Sequence, residues 1–228
     1  MVDRTLSIDQ ARRVYNRIGR HQDTQGIYEN AALDRLVATA RFREANRVVE
    51  FGCGTGAFAL RLLRDEMPLK GRYNGFDLSP TMVHIARERL APFSARASVS
   101  QTDGSPHLPL GEGMCDRFVT NYVLDLLAEP LIRGVLGEAH RLLRSGGLLC
   151  AVSLTRGCTF SSKTLMALWN SVRRLAPVLV GGCRPIRLED YLPSEEWQIL
   201  VADTVIAWGV PSEVLVARRL PATGDEAA

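Results

Sequence analysis

The chain has 228 residues, 46% of them hydrophobic and 23% charged, enough apolar material for one domain with a sizeable core. Its formal net charge of +3 is small and no tract of consecutive Lys or Arg runs through it, so nucleic acid is excluded as an expected partner. There is no apolar leader with a small-residue cleavage site and no charge-free stretch of roughly 20 residues, and a cytoplasmic location is expected. Five scattered cysteines, Cys53, Cys115, Cys150, Cys158 and Cys183, form no CxxC pair; they are expected to stay reduced, with neither a disulfide framework nor a structural zinc site.

The first predicted element is a helix in LSIDQARRVYNRIGRHQD. Ile8, Ala11, Tyr15 and Ile18 recur at helical spacing while Arg12, Arg13, Arg17 and Arg20 occupy other faces, so the helix is basic and amphipathic. Two uses are open for it: a lid on the domain, within a helical segment spanning residues 1–45, or transient contact with a membrane surface.

From RVVEF onward, strand-like and helical runs alternate: AFALRLLRDEM, RYNGFD, PTMVHIARERL, RASVSQ, CDRFVTNYVLDLL, PLIRGVLGEAHRLLRSGG and LLCAVSL. Such alternation predicts βαβ units and a parallel sheet covered on both faces. Ser79-Pro80 reads as an N-cap with proline at the first helical position, and Pro92 as the stop. Pro130 is expected to open a later helix and Gly146-Gly147 to close it. After the fifth strand comes an insertion, residues 155–195, in which Leu165, Leu168, Trp169, Val172 and Leu175 form a helical apolar stripe. Finally WQILVADTVIAWG and EVLVARR are joined by GVPS, too little chain for a helical crossover, which predicts an antiparallel hairpin. Residues 1–220 therefore read as one domain, with a flexible tail at 221–228.

The stretch VVEFGCGTGAFA carries most of the functional information. Gly52, Gly54 and Gly56 sit where a strand must turn into a helix, and lacking side chains they let a ligand lie against the backbone. GCGTGA also satisfies the dinucleotide pattern G-x-G-x-x-G/A, so the glycines alone do not separate NAD from another adenosine cofactor. Glu50, two residues before Gly52, favours a ligand with positive charge and would repel a pyrophosphate. Asp77 ends the next strand where a carboxylate can hold both ribose hydroxyls, and Asp103-Gly104 follows the third, where a carboxylate can accept from an adenine amino group.

With these motifs in view, the chain resembles the class I S-adenosylmethionine (SAM)-dependent methyltransferases of the broad type 11 kind, which includes ubiquinone and menaquinone biosynthesis enzymes. VVEFGCGTG resembles the first motif of that family, GFDLS the ribose segment, QTDGSPHLPL the adenine-side segment and CDRFVTNYVLDLL the fourth motif. The likeness covers residues 47 to 154 by motif and extends to 219 by the hairpin. It implies an α/β, Rossmann-like sandwich with a mostly parallel seven-stranded sheet and a C-terminal antiparallel hairpin. It also implies SAM as cofactor, with S-adenosylhomocysteine as product. The turn Gly52, Cys53, Gly54 and Gly56 would hold the methionine moiety with Glu50 on its ammonium side. Asp77 would take the ribose, Leu78 and Ser105 would flank the adenine with Asp103-Gly104 as the adenine-side turn, and Asn121 and Tyr122 would lie near the methionine moiety and the methyl group.

Methyl transfer from a sulfonium needs alignment, exclusion of water and, for some acceptors, removal of a proton. Candidates for that proton are His107, Tyr122, Asp125 and Tyr15, and no carboxylate-rich metal triad is recognisable, so no metal is expected. Acceptor contacts are expected from Tyr28, Trp169 and Arg184; if Arg184 in GGCRPI faces the cleft, the acceptor is a small organic or lipid-like molecule, amphipathic, with one polar or anionic group. Two alternatives stay open: an NAD(P)-dependent oxidoreductase, on GCGTGA and Asp77, and a non-catalytic SAM-binding regulatory subunit. The oligomeric state and the acceptor atom are not legible in the sequence.

Overall fold

A seven-stranded sheet forms the centre of the computed structural model, which describes residues 7–19, 26–156 and 183–221. The strands are β1 (Arg47–Phe51), β2 (Arg72–Asp77), β3 (Ala97–Gln101), β4 (Cys115–Asn121), β5 (Leu143–Leu154), β6 (Trp197–Ala207) and β7 (Val210–Arg219). They lie in the order β3-β2-β1-β4-β5-β7-β6, with β1 to β5 mutually parallel and β7 antiparallel to both β5 and β6. The order reverses between β1 and β4, where open α/β sheets place a ligand crevice at the carboxyl ends of the strands.

Alternation along the strands divides the core into two layers. Val48, Val119, Cys150, Val152, Val214 and Val216 face one way and pack with α2 (Gly26–Thr39), α3 (Ala57–Arg61) and α4 (Pro80–Leu90). Val49, Phe118, Leu149, Ala151, Leu215 and Ala217 face the other and pack with α5 (Glu129–Leu142). Helix α2 rests on β5, β6 and β7 through the fully buried Ala32 and Leu36.

The local signals act largely as expected. The Ser79 hydroxyl caps α4 by accepting from the Met82 amide at 3.2 Å, with Pro80 in the first turn. Helix α1 (Ile8–Ile18) begins with a reciprocal cap: Ser7 Oγ accepts from the Gln10 amide, and Gln10 Oε1 from the Ser7 amide at 2.9 Å. Two boundaries differ. Helix α5 ends at Leu142, and Gly146-Gly147 lie inside β5, where the pairing with β4 shifts register between Cys115 and Arg117. A side chain at Gly147 would meet the Arg144 carbonyl at 2.9 Å, so close backbone approach in that bulge, not a helix cap, requires the glycine. The hairpin turn is Trp208-Gly209, with φ of +53° and +81°, and VPS belongs to β7; paired positive φ values suit the twist of a two-residue hairpin.

Candidate active site

At the carboxyl ends of β1, β2 and β4 the chain folds around two chambers that meet at Gly52, Gly54, Asn121 and Tyr122. One, of about 140 Å³, is mostly apolar: Phe51, Phe76, Leu78, Val123, Leu126 and Leu127 form much of its wall, with Asp77 as its carboxylate. Helix α1 adds Ile8, Ala11 and Tyr15 to that wall while Arg12, Arg13 and Arg17 are exposed, so three of the four residues of the stripe legible at helical spacing line the chamber and Ile18 does not. The other chamber, of about 190 Å³, is polar and contains Glu29, Asn30, Glu50, Cys53 and Thr55.

The glycine turn between the chambers hangs from the end of β2. The Gly52 and Cys53 amides both donate to the Phe76 carbonyl, at 2.7 and 3.0 Å, and the Gly54 amide donates to Asp77 Oδ2 at 2.8 Å. Asp77 Oδ1 accepts from the Ser79 amide at 2.8 Å, so one carboxylate ties the turn to the start of α4. Burial pushes the Asp77 carboxyl up, against the pull of these amides.

All three glycines of the turn have positive φ, +76° at Gly52, +52° at Gly54 and +74° at Gly56, but their surroundings differ. A Cβ on Gly52 would lie 2.3 Å from Val123 Cγ2, whereas one on Gly54 would meet nothing within 4 Å. Gly52→Ala is therefore expected to lower stability by about 2–4 kcal/mol through overpacking and left-handed strain. Gly54→Ala should cost about 1–2 kcal/mol from strain alone, while placing a methyl group at the junction of the chambers. Thermal melts of the two variants check this; equal melting temperatures would contradict the assignment.

Glu50, 2% exposed, accepts a hydrogen bond from the Tyr73 hydroxyl at 2.5 Å. Burial raises its pKa to about 7, Tyr73 opposes that, the Asp77 charge adds to it, and Asn121 opposes it. Among the described residues, neither amide atom of Asn121 has a partner with hydrogen-bond geometry. A buried amide in this state lacks a partner that a polar ligand in the adjoining chambers would supply. Tyr122 has φ +54°, a conformation costly for a bulky side chain, and its hydroxyl lies 2.8 Å from Ser212 Oγ. Burial pushes the Tyr122 hydroxyl pKa well up, so it stays protonated at neutral pH.

Sequence reasoning thus named Glu50, Gly52, Cys53, Gly54, Asp77, Leu78, Gly104, Asn121, Tyr122 and Tyr15, and the fold gathers all of them on the chamber walls. Gly56 stands one step away, as the N-cap of α3, where a side chain would press on Ala86 at 3.1 Å. Other named residues are set elsewhere. Asp103 is exposed and binds the Ser105 amide in its own turn. His107 is at the surface, with Nδ1 3.4 Å from Glu138 Oε2. Asp125 is fully buried behind the chamber wall; burial raises its pKa to about 7, while the backbone at Asp125 and Leu154 and the Cys183 thiol pull it down. Arg184 donates from Nη2 to the Leu127 carbonyl at 2.8 Å and is on neither wall. The Tyr28 side chain and Trp169 lie outside the described residues. Among the described residues no cluster of three His, Cys, Asp or Glu is arranged to hold a metal ion. Glu29 and Asn30 escaped sequence reasoning; their one signal is adjacency to Tyr28 on the same helix.

The strand order with its terminal antiparallel pair is the fold of the class I SAM-dependent methyltransferases. Residues 48–147, from β1 into β5, match the family model described as a methyltransferase domain. Among curated relatives, the malonyl-acyl-carrier-protein O-methyltransferase of Marinomonas sp. (strain MWYL1) is 26% identical over 143 residues, 63% of this chain and 51% of that protein. The carboxy-S-adenosyl-L-methionine synthase of Chromohalobacter salexigens is 30% identical over 118 residues, 50% of this chain and 42% of that protein. The chain spans about half the length of the curated relatives it matches. The solved structure of the (4+2)-cyclase SpnF superposes with a TM-score of 0.72 at 16% identity, covering 95% of this chain and 98% of that one. Likeness at that identity shows the fold alone. None of these matches favours the oxidoreductase reading of GCGTGA.

Proposed function

We propose that the chain is a SAM-dependent methyltransferase acting on a small organic or amphipathic acceptor. Asp77 and Leu78 would hold the adenosine in the apolar chamber, and Glu50 and Asn121 the methionine end in the polar one. The observation that carries this reading is the pairing of a buried acid with an amide still open to a partner, beside a glycine whose missing side chain leaves space. A zwitterionic amino-acid group needs both an acceptor and a donor there. When bound, SAM supplies an activated methyl group on a sulfonium whose departure requires no proton.

The chain's own work is then to align and to exclude water. Helix α1 covers the apolar chamber with Ile8, Ala11 and Tyr15, which supports its use as a lid over a membrane contact made through the same apolar stripe. Tyr122, protonated and anchored by Ser212, is suited to orient an acceptor by hydrogen bonding, not to take its proton. Calorimetric titration is expected to give micromolar-range binding of SAM and S-adenosylhomocysteine; no binding by protein shown to be folded would sink the reading. Methyl transfer from labelled SAM to any acceptor in a metabolite extract would reject the non-catalytic alternative.

Glu50 makes the binding pH-dependent. A cationic ligand beside it favours its charged form, so binding should release a proton near neutrality and tighten as pH rises from about 6 to 8. Stability without ligand runs the opposite way. The Glu50 pKa is about 7 in the folded chain against an ordinary 4.5, so between those values the folded state binds more protons and its stability falls with rising pH. Titrations at pH 6 and 8 check the first effect, and Glu50→Gln should flatten it; a variant that keeps the full pH dependence assigns it to another group.

A further inference from the structure

We infer that the outer edge of β6 is a dimer interface, on which a second copy of this chain adds its own β6 antiparallel across a two-fold axis. The surface is independent of the ligand that the chambers take. Strand β6 ends the sheet, with β7 as its one neighbour among the described residues, and it is 11 residues long. Exposed strand edges in natural proteins are usually short, or guarded by charged side chains and proline. The opposite edge fits that pattern, since β3 has 5 residues and most of them are Ser or Gln. By contrast β6, WQILVADTVIA, has no Lys, Arg or Pro, and its single acid, Asp203, is held by Arg35 of α2, with Nε 2.7 Å from Oδ2. Its one irregularity is a bulge at Leu200. Exposed large apolar side chains also gather here: Ile199, Leu200, Ile206 and, at the tip of the hairpin, Trp208.

What points to a second copy is the order of residues along the strand. Read outward from Asp203, the neighbours are Ala202 and Thr204, then Val201 and Val205, then Leu200 and Ile206. Two antiparallel copies centred on Asp203 therefore set small residue against small, valine against valine and Leu200 against Ile206. Val201 and Val205 pack with the layer that holds α2. Leu200 and Ile206, 40% and 39% exposed, alternate with them, on the side of the sheet where α5 packs on β4 and β5. In the pair, the leucines and isoleucines of the two copies cover one another. The charges close as well. Two Asp203 carboxylates alone would repel across the axis; each brings its own Arg35, so acids and guanidiniums alternate there. Helix α2 rests on β5, β6 and β7. With strands about 4.8 Å apart, two such helices stand roughly 10–12 Å apart across the axis, about one helix diameter. The stripe of α2 that includes Arg35 also presents Ala31 and Ala38, exposed and small enough for that approach.

The test is sedimentation equilibrium of the whole chain at micromolar concentration, with hydrogen exchange at the β6 amides that are not bonded to β7. The wild-type chain should have the mass of two copies, with those amides protected. Arg35→Asp, which gathers four carboxylates at the axis, should raise the dissociation constant at least about tenfold. Combining Arg35→Asp with Asp203→Arg should restore the dimer. Both side chains are nearly half exposed, so these variants alter the surface and leave the core intact. Ala202→Lys, which adds an edge lysine, should weaken the dimer by about tenfold too. A monomeric wild-type chain overturns the inference even if every variant fails to fold. Protected amides in that monomer would give the edge to another segment of the same chain, and unprotected ones to solvent or a different partner. A dimer that withstands both Arg35→Asp and Ala202→Lys also overturns it, because its interface lies elsewhere.

Discussion

Asp77→Ala is expected to weaken SAM binding by about 1.5–3 kcal/mol, roughly ten- to hundredfold, the largest affinity loss of any single change in the apolar chamber. The expectation has two parts. Hydrogen bonds from ribose hydroxyls to a charged acceptor would be lost, and so would the tether that holds the glycine turn. Asp77 receives both the Gly54 and the Ser79 amides at 2.8 Å, so its removal frees the turn and the first residues of α4 together. Asp77→Asn should do nearly as badly, because its amide nitrogen would point a donor at one of those donors. Titration with S-adenosylhomocysteine, beside a melting curve, separates binding from folding. A folded Asp77→Ala chain with undiminished affinity would remove Asp77 from the site.

The second large effect concerns stability. Arg117 is 5% exposed and donates to three main-chain carbonyls: Ala40 through Nε at 2.7 Å, Asp116 through Nη1 at 2.8 Å and Arg41 through Nη2 at 2.9 Å. Beside it, Asp116 Oδ2 accepts from the Asn46 amide at 2.8 Å and from the Arg47 amide at 3.3 Å. This network clamps the end of α2 and the entry to β1 against the start of β4. Arg117→Met keeps much of the volume but leaves buried carbonyls and the Asp116 charge uncompensated. The expected cost is about 3–5 kcal/mol, a fall in melting temperature of roughly 10 °C for a chain of this size. Because the clamp lies at the opposite end of the strands from the chambers, affinity for SAM in the folded fraction should hold. A melting temperature within about 2 °C of wild type would show that the network is dispensable.

Two outcomes show how far local signals carry. Gly146-Gly147 read as a helix stop because glycine pairs usually are one; here they serve a strand bulge, a contact made with β4 some thirty residues upstream. The same limit applies to acids after strands. Glu50, Asp77 and Asp103 look equivalent by position, yet Glu50 and Asp77 reach the chambers while Asp103 turns to solvent and closes its own turn. Asp125 looked like a reactive acid beside Tyr122, and the short helical turn after β4 carries it to the far side of the wall. Side-chain direction in a loop depends on dihedral angles that no spacing rule records.

Hydrophobic period and turn chemistry, both local quantities, were enough to define the strands, the crossover helices, the terminal hairpin and the glycine turn. Those signals, with the family resemblance that runs from residue 47 to the hairpin at 219, gave the expected class of fold and a candidate cofactor corner. Which groups face that corner was decided by tertiary structure. The packing of α2 on β6 and β7 positions the helix from which Glu29 enters the polar chamber, far from the glycine motif in sequence. The ridge of α1 that covers the apolar chamber took its orientation from α4, where Asn16 Oδ1 accepts from the Ser79 hydroxyl at 2.6 Å. Burial, which depends on the whole chain, then moved Glu50 from an ordinary carboxylate to one poised near neutrality.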